Sequence, residues 1–343
     1  MTAAFRDYSI EQNGVYHFYD LNPGILPQTP SEVIQQLPGP SVLHINGRTD
    51  GCRVITALIH GDSANSLRAL LATLKDGGAP ATNVKVIIVS VEAAKLTPVF
   101  SHSYLPGQRD LNRCFREPFL YQSDHLANRL LNYLETWRPE SVVDIHDTLA
   151  MTHAFAISVC ENHAHKVLAS YFTDLLIFSP ISIGALTDLN IGCPIISVHA
   201  PSDYAGIQQC NLYKNLMRFW QTDVLQQQQE VSVLSQPRRL ELRRSAALTF
   251  SDKPVFGVNC TLRQDIENCS FTVQHPGDVL GWVDHNKLAH FRVVGRAPRE
   301  KVSDFFCADD NSLTVAQPMK LFVLGKSTDL AKSNCLFYFS TGS

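Results

Sequence analysis

The stretch RVITALIHGDSANSLRALLATLKDGG, residues 53–78, constrains the fold more than any other. An apolar, β-branched run reads as a buried strand. A polar turn follows. Then Leu67, Leu70, Leu71 and Leu74 recur at helical spacing, and Gly77-Gly78 stops the helix. The same alternation continues. VKVIIVS, SVVDIH, AFAISVC and PIISVH read as strands. SDHLANRLLNYLETW reads as a helix that Ser123 or Asp124 can cap and Pro139 closes, and residues 205–229 read as one long helix, with the glutamine run on its solvated end. Strands alternating with helices predict an α/β fold: a mixed, largely parallel sheet flanked by helices. Past LQQQQE the runs become short and alternating, as in HFRVVGRA and CLFYFS. Residues 1–230 are therefore expected to form the α/β domain and 231–343 a mostly β domain.

Composition excludes several function classes. A net charge of −3 over 343 residues offers no basic surface for a nucleic-acid backbone. The apolar stretches are strand-length, so no membrane span is expected. The first residues, MTAAFRDYSIEQNG, lack the basic flank and apolar block of a signal peptide. Nine scattered cysteines, an odd number with no C-x-x-C, argue against a disulfide framework and for a reducing, cytoplasmic location.

In open α/β sheets function collects at the carboxyl ends of strands. Three strand ends here carry a histidine: His60 in His60-Gly61-Asp62-Ser63, His146 in Asp144-Ile145-His146, and His199 in PIISVH. One such histidine is ordinarily structural; three are less so. Neutral imidazole is a common zinc ligand, and open catalytic zinc sites use three protein ligands plus water. A polar loop, GQRDLNRCF, adds Arg109, Asn112 and Arg113. A guanidinium fork suits a carboxylate substrate, although by itself this loop reads rather as a surface ion pair or a structural anchor. Asp62 and Ser63 are both good helix caps, whatever else they do.

Taken together, His60-Gly61-Asp62-Ser63, Asp110-Leu111-Asn112-Arg113-Cys114-Phe115 and Asp144-Ile145-His146 resemble, in kind and order, the motifs of the succinylglutamate desuccinylase and aspartoacylase family within the zinc carboxypeptidase superfamily. The resemblance spans roughly the first 230 residues. It implies an eight-stranded mixed sheet, a zinc ion held by His60 and His146, and a substrate carboxylate held by Asn112 and Arg113. It also implies hydrolysis of the amide of an N-acyl amino acid. The sequence departs from the family twice. Ser63 stands where the family has a glutamate ligand, and His199-Ala200 stands where it has a catalytic Glu-x-Gly. Asp62 or His199 would then complete the metal site, or His199 would act as the base; Arg109 is the nearest candidate for a further substrate arginine.

Two other readings compete. One is a relative that binds a small carboxylate without catalysis, its metal lost. The other is a serine hydrolase using Ser63, since G-D-S follows a strand; the D-x-x-H such enzymes pair with it is missing from this sequence. Substrate identity and oligomeric state are not legible.

Overall fold

The computed structural model describes residues 9–19, 22, 24, 26–148, 153–201, 210–235, 237–243, 245–295, 300–322 and 336–341. The chain divides into two compact units, 1–147 with 154–233, and 148–153 with 234–343.

The first unit is built on β1 (Ser9–Gln12), β2 (Val15–Tyr19), α1 (Pro30–Gln36), β3 (Ser41–Ile45), β4 (Thr49–Ala57), α2 (Ala64–Asp76), β5 (Thr82–Ile88), α3 (Val91–Lys95), α4 (Gln122–Trp137), β6 (Ser141–Thr148), β7 (Phe155–Ser158), α5 (His163–Ala169), β8 (Leu175–Phe178), β9 (Ile195–Pro201), α6 (Asn211–Gln221) and β10 (Ser232–Ser235). The strands form one sheet in the order β1-β2-β3-β5-β4-β6-β9-β7-β8-β10. Among the described residues it holds ten strands, where the family resemblance implied eight. The sheet is mixed. β5, β4 and β6 run parallel, while β3 is antiparallel to β5 and β7 to β9.

Alternation along each strand sorts its side chains between two cores. Ile55 of β4, Val143 and Ile145 of β6, and Ile196 and Val198 of β9 join the leucines of α2 and the aromatic residues of α6 on one face. Val54, Val142 and Ile195, each one residue out of step, pack with Leu130 and Leu134 of α4 on the other. β6 is buried along nearly its whole length, as a strand covered on both faces must be. Arg53, only 1% exposed, ties β4 to the end of α6. Its guanidinium donates to the carbonyls of Phe219 (3.0 Å), Thr222 (2.6 Å) and Asp223 (2.8 Å). The first two are carbonyls of the last turn and cap of α6, which a helix C-terminus leaves without partners, and the third follows the cap.

The helix expected over residues 205–229 is shorter. Within the described residues it covers Asn211–Gln221; 205–209 lie outside them. The glutamine run is irregular rather than a helix end. Gln226 N donates to the Tyr171 hydroxyl and Gln228 N to the Ser170 hydroxyl, so tertiary partners replace helical ones.

The second unit contains β11 (Arg238–Leu242), β12 (Leu248–Ser251), β13 (Cys260–Arg263), β14 (Val273–Gln274), β15 (Val279–Val283), β16 (Phe291–Val294), β17 (Phe306–Asp309), β18 (Ser312–Val315), β19 (Met319–Phe322) and β20 (Phe337–Ser340). They form two five-stranded sheets, β14-β19-β20-β11-β16 and β12-β13-β15-β18-β17. Phe306, Phe337 and Phe339 pack edge to face in the core. Among the described residues no helix is long and apolar enough to cross a membrane.

Candidate functional site

Three neighbouring strands, β4, β6 and β9, place polar residues on the α4 face of the sheet. Thr56 follows Val54 by two, Asp144 and His146 follow Val142, and Ser197 and His199 follow Ile195; period-two alternation therefore puts all five on one side. Thr56 and Asp144 are also paired across the ladder. Asp144 is completely buried and is the hub. It accepts from Thr56 Oγ1 (2.7 Å) and Ser197 Oγ (3.1 Å), and from His146 Nε2. Burial would raise its carboxyl. The His146 charge and these hydrogen bonds outweigh that and hold it below the usual carboxylate value, while Asp144 in turn raises His146.

His60 lies just past β4. Its Nε2 is 2.8 Å from Asp110 Oδ1. Asp110 is held down to about 2: burial opposes this, but the bond to His60 and the nearby Arg113 guanidinium, 3.8 Å away, prevail. The rings of His60 and His146 are 5.3 Å apart, edge to face. Each thus has a carboxylate on Nε2, which fixes a proton there, so that Nδ1 is the nitrogen that offers a lone pair once the ring is neutral. That is the arrangement in which second-shell carboxylates orient metal-binding imidazoles.

His199 is the third ring. It stacks on His146 at 4.9 Å and on Phe155 at 4.8 Å. Burial, and then the charge of His146, lower its pKa well below the ordinary value, so it stays neutral. β6 and β9 run on to Thr148 and Pro201, so His146 and His199 lie inside their strands rather than at the ends expected from the sequence.

The remaining residues singled out in the sequence are placed as follows. Asp62 is exposed and accepts from the Ser103 hydroxyl. Ser63 is the N-cap residue of α2 but makes no side-chain capping bond, contrary to expectation. The cap comes from Asp147 of β6, which accepts from Asn65 N (2.8 Å), Ser66 N (2.6 Å) and Ser66 Oγ. Asp147 follows Val143 and Ile145 on the α2 face, so alternation aims it at that helix start. Asn112 Oδ1 accepts from Leu186 N at 3.0 Å. Arg113 Nη1 donates to the Asn112 carbonyl at 2.7 Å, and its side chain is 31% exposed. Arg109 turns elsewhere. It forms a two-pronged contact with Asp124 (2.8 and 3.1 Å) and lies over the Tyr121 ring. Asp124 also accepts from Leu120 N and Tyr121 N at the start of α4.

Among the described residues no group of three or more His, Cys, Asp or Glu stands together as a ready metal site. Thr56, Ser197 and the hub role of Asp144 are absent from a motif reading. The signal for Asp144 was present: a carboxylate two residues before a histidine on a strand must share its face.

No family model matches the sequence, and no curated protein matches it either. Solved structures do. Murine aminoacylase 3 matches with a TM-score of 0.51 at 13% identity, over 86% of this chain and 96% of that one. Succinylglutamate desuccinylase from Vibrio cholerae matches with a TM-score of 0.50 at 13% identity, over 85% and 99%. The chain shares its fold with these proteins, one of which carries the name of the family that the motifs resemble.

Proposed function

We propose, for a chain with the fold of these deacylases, that it is a metal-dependent hydrolase cleaving the amide of an N-acyl amino acid or a similar small carboxylate. The observation that carries the reading is the pair of imidazoles, each anchored by a carboxylate on Nε2. Two imidazoles on one tetrahedral zinc, with Zn–N about 2.0–2.1 Å, place their ring centres about 5 Å apart. The separation of 5.3 Å between His60 and His146 fits that. Asp62 would be the third ligand, after turning away from Ser103. When bound, the cation would polarise the scissile carbonyl and acidify the attacking water. Arg113 would receive the substrate carboxylate through the free part of its fork. His199, neutral by burial, would accept the proton from water and pass it to the leaving amine. Its lowered pKa makes it a weak base, which predicts a slow enzyme.

One observation favours the runner-up, a carboxylate binder without catalysis: the third ligand is not assembled among the described residues. The serine reading has no such support, because among the described residues the Ser63 hydroxyl makes no hydrogen bond to a histidine ring; Ser63 meets His60 only through the backbone.

Calorimetric zinc titration tests the proposal. Wild type should bind one zinc, His60→Ala should not, and Asp110→Asn should bind about ten- to a hundredfold more weakly. Ser63→Glu should bind more tightly, since a carboxylate offsets the cation's charge and a hydroxyl does not. Affinity should fall with pH, because binding displaces protons from the imidazoles. If neither wild type nor Ser63→Glu takes up zinc, the metal reading is wrong and the binder reading replaces it.

A further inference from the structure

A cavity of about 240 Å³ in the first unit has no part in the function proposed above. It opens behind the loop that carries Asp110, with Leu105, Arg109 and Leu111 of that loop on its wall and Val89 and Leu126 adding apolar surface. Most polar groups on the wall already have partners. Arg109 is bound to Asp124, Gln108 Nε2 donates to Gln122, and Ser123 donates to Gln108. Two charged groups are different. Among the described residues Arg129 forms no ion pair, and its Nε is buried without a hydrogen-bond partner. Glu92, exposed at the mouth, likewise forms no ion pair. Its neighbour Lys95 donates to the Leu37 carbonyl and acts on Glu92 only through its charge, without a salt-bridge contact.

A guanidinium on a cavity wall with no acceptor of its own is a place for an anionic ligand, which would meet it with charge-assisted hydrogen bonds. One cation and one anion without ion-pair partners, on a small cavity whose other polar side chains are mostly paired and whose wall is partly apolar, ask for a ligand with both charges and a short apolar part. We propose that this cavity binds a small apolar α-amino acid, its carboxylate on Arg129 and its ammonium on Glu92. The proposal does not depend on the hydrolase reading, and metal plays no part in it.

L-leucine is the probe, compared by calorimetry with 4-methylpentanoate, which lacks the ammonium, and isopentylamine, which lacks the carboxylate. Leucine should bind, and each analogue should bind at least about tenfold more weakly, the loss of one charge-assisted contact. Arg129→Met and Glu92→Gln should each lose leucine binding, with melting curves confirming that both remain folded. Arg113→Ala should leave it unchanged. No leucine binding by wild type overturns the proposal. So does binding that survives Arg129→Met and Glu92→Gln. Binding that disappears in Arg113→Ala alone assigns leucine to the histidine site and likewise overturns it.

Discussion

Two histidine clusters lie on the same face of the sheet, and they are built on opposite principles. At the first, His60 and His146 each have a carboxylate behind the ring, Asp110 and Asp144. At the second, His17 of β2 and His44 of β3 have only each other, His17 Nδ1 lying 3.0 Å from His44 Nε2. Around them are aromatic rings: Tyr19 stacked on His44 at 4.1 Å, Tyr133 against His17, Trp137 against His44. Lys85, paired with His44 across the ladder, adds a positive charge. Burial, then Lys85 and His17, push His44 down to about 3, and burial lowers His17 as well. One imidazole must then donate to the other, which two neutral rings can do and two charged rings cannot. Burial is common to both clusters, so burial does not mark the site. The carboxylate does: it orients a ring, fixes its proton and prepares the other nitrogen for a ligand.

The comparison can be broken in three ways. Asp144→Ala should have the largest effect, destabilising the protein by about 3–5 kcal/mol, because it leaves His146 buried without its counter-charge. Replacing both partners at the other cluster, His17→Leu with His44→Leu, should stay within about 1 kcal/mol, since no unpaired partner remains. Urea unfolding of the two variants decides; equal losses would erase the distinction.

The second way is pH. His44 is neutral in the folded chain down to about 3, whereas the unfolded chain protonates it near 6.5. Its contribution is therefore full above about 6.5 and is lost as pH falls toward 3, with a slope of at most about 1.4 kcal/mol per pH unit. The double leucine variant should flatten stability between about pH 6.5 and pH 4. Asp110, held at about 2, contributes above its unfolded value and is lost only below about pH 4, so between about pH 6.5 and pH 4 the loss from His44 occurs without one from Asp110. Unfolding curves that keep their slope in the double variant would locate the effect elsewhere.

The smallest effect concerns the helix start beside the site. Asp147→Ala should cost about 1–2 kcal/mol by removing the α2 cap, and Ser63→Ala less than about 0.5 kcal/mol. Thermal melts showing the reverse order would return the cap to Ser63.

Much of this site was legible in order along the chain. His60, Asp110, Arg113 and His146 stand in a recognisable sequence of motifs, and the βα alternation places the first and last on neighbouring strands. Arg109 was not legible as an anchor, because nothing local announces Asp124, fifteen residues away, as its partner. The second histidine cluster is not legible for a related reason: His17 and His44 lie within short strands, in no motif, and meet only when β2 pairs with β3.

By itself the sequence determined periodicity: which residues share a face of a strand or helix, and hence that Asp144 stands beside His146 and Asp147 opposite them. That follows from backbone geometry, which is local. Strand order, and with it which of the thirteen histidines acquire a carboxylate, a second imidazole or a phenyl ring as neighbour, was decided only by the tertiary structure. The proton on an imidazole responds to charges and burial within a few ångströms, and residues that close in space around Asp144 are separated by as many as 88 positions along the chain.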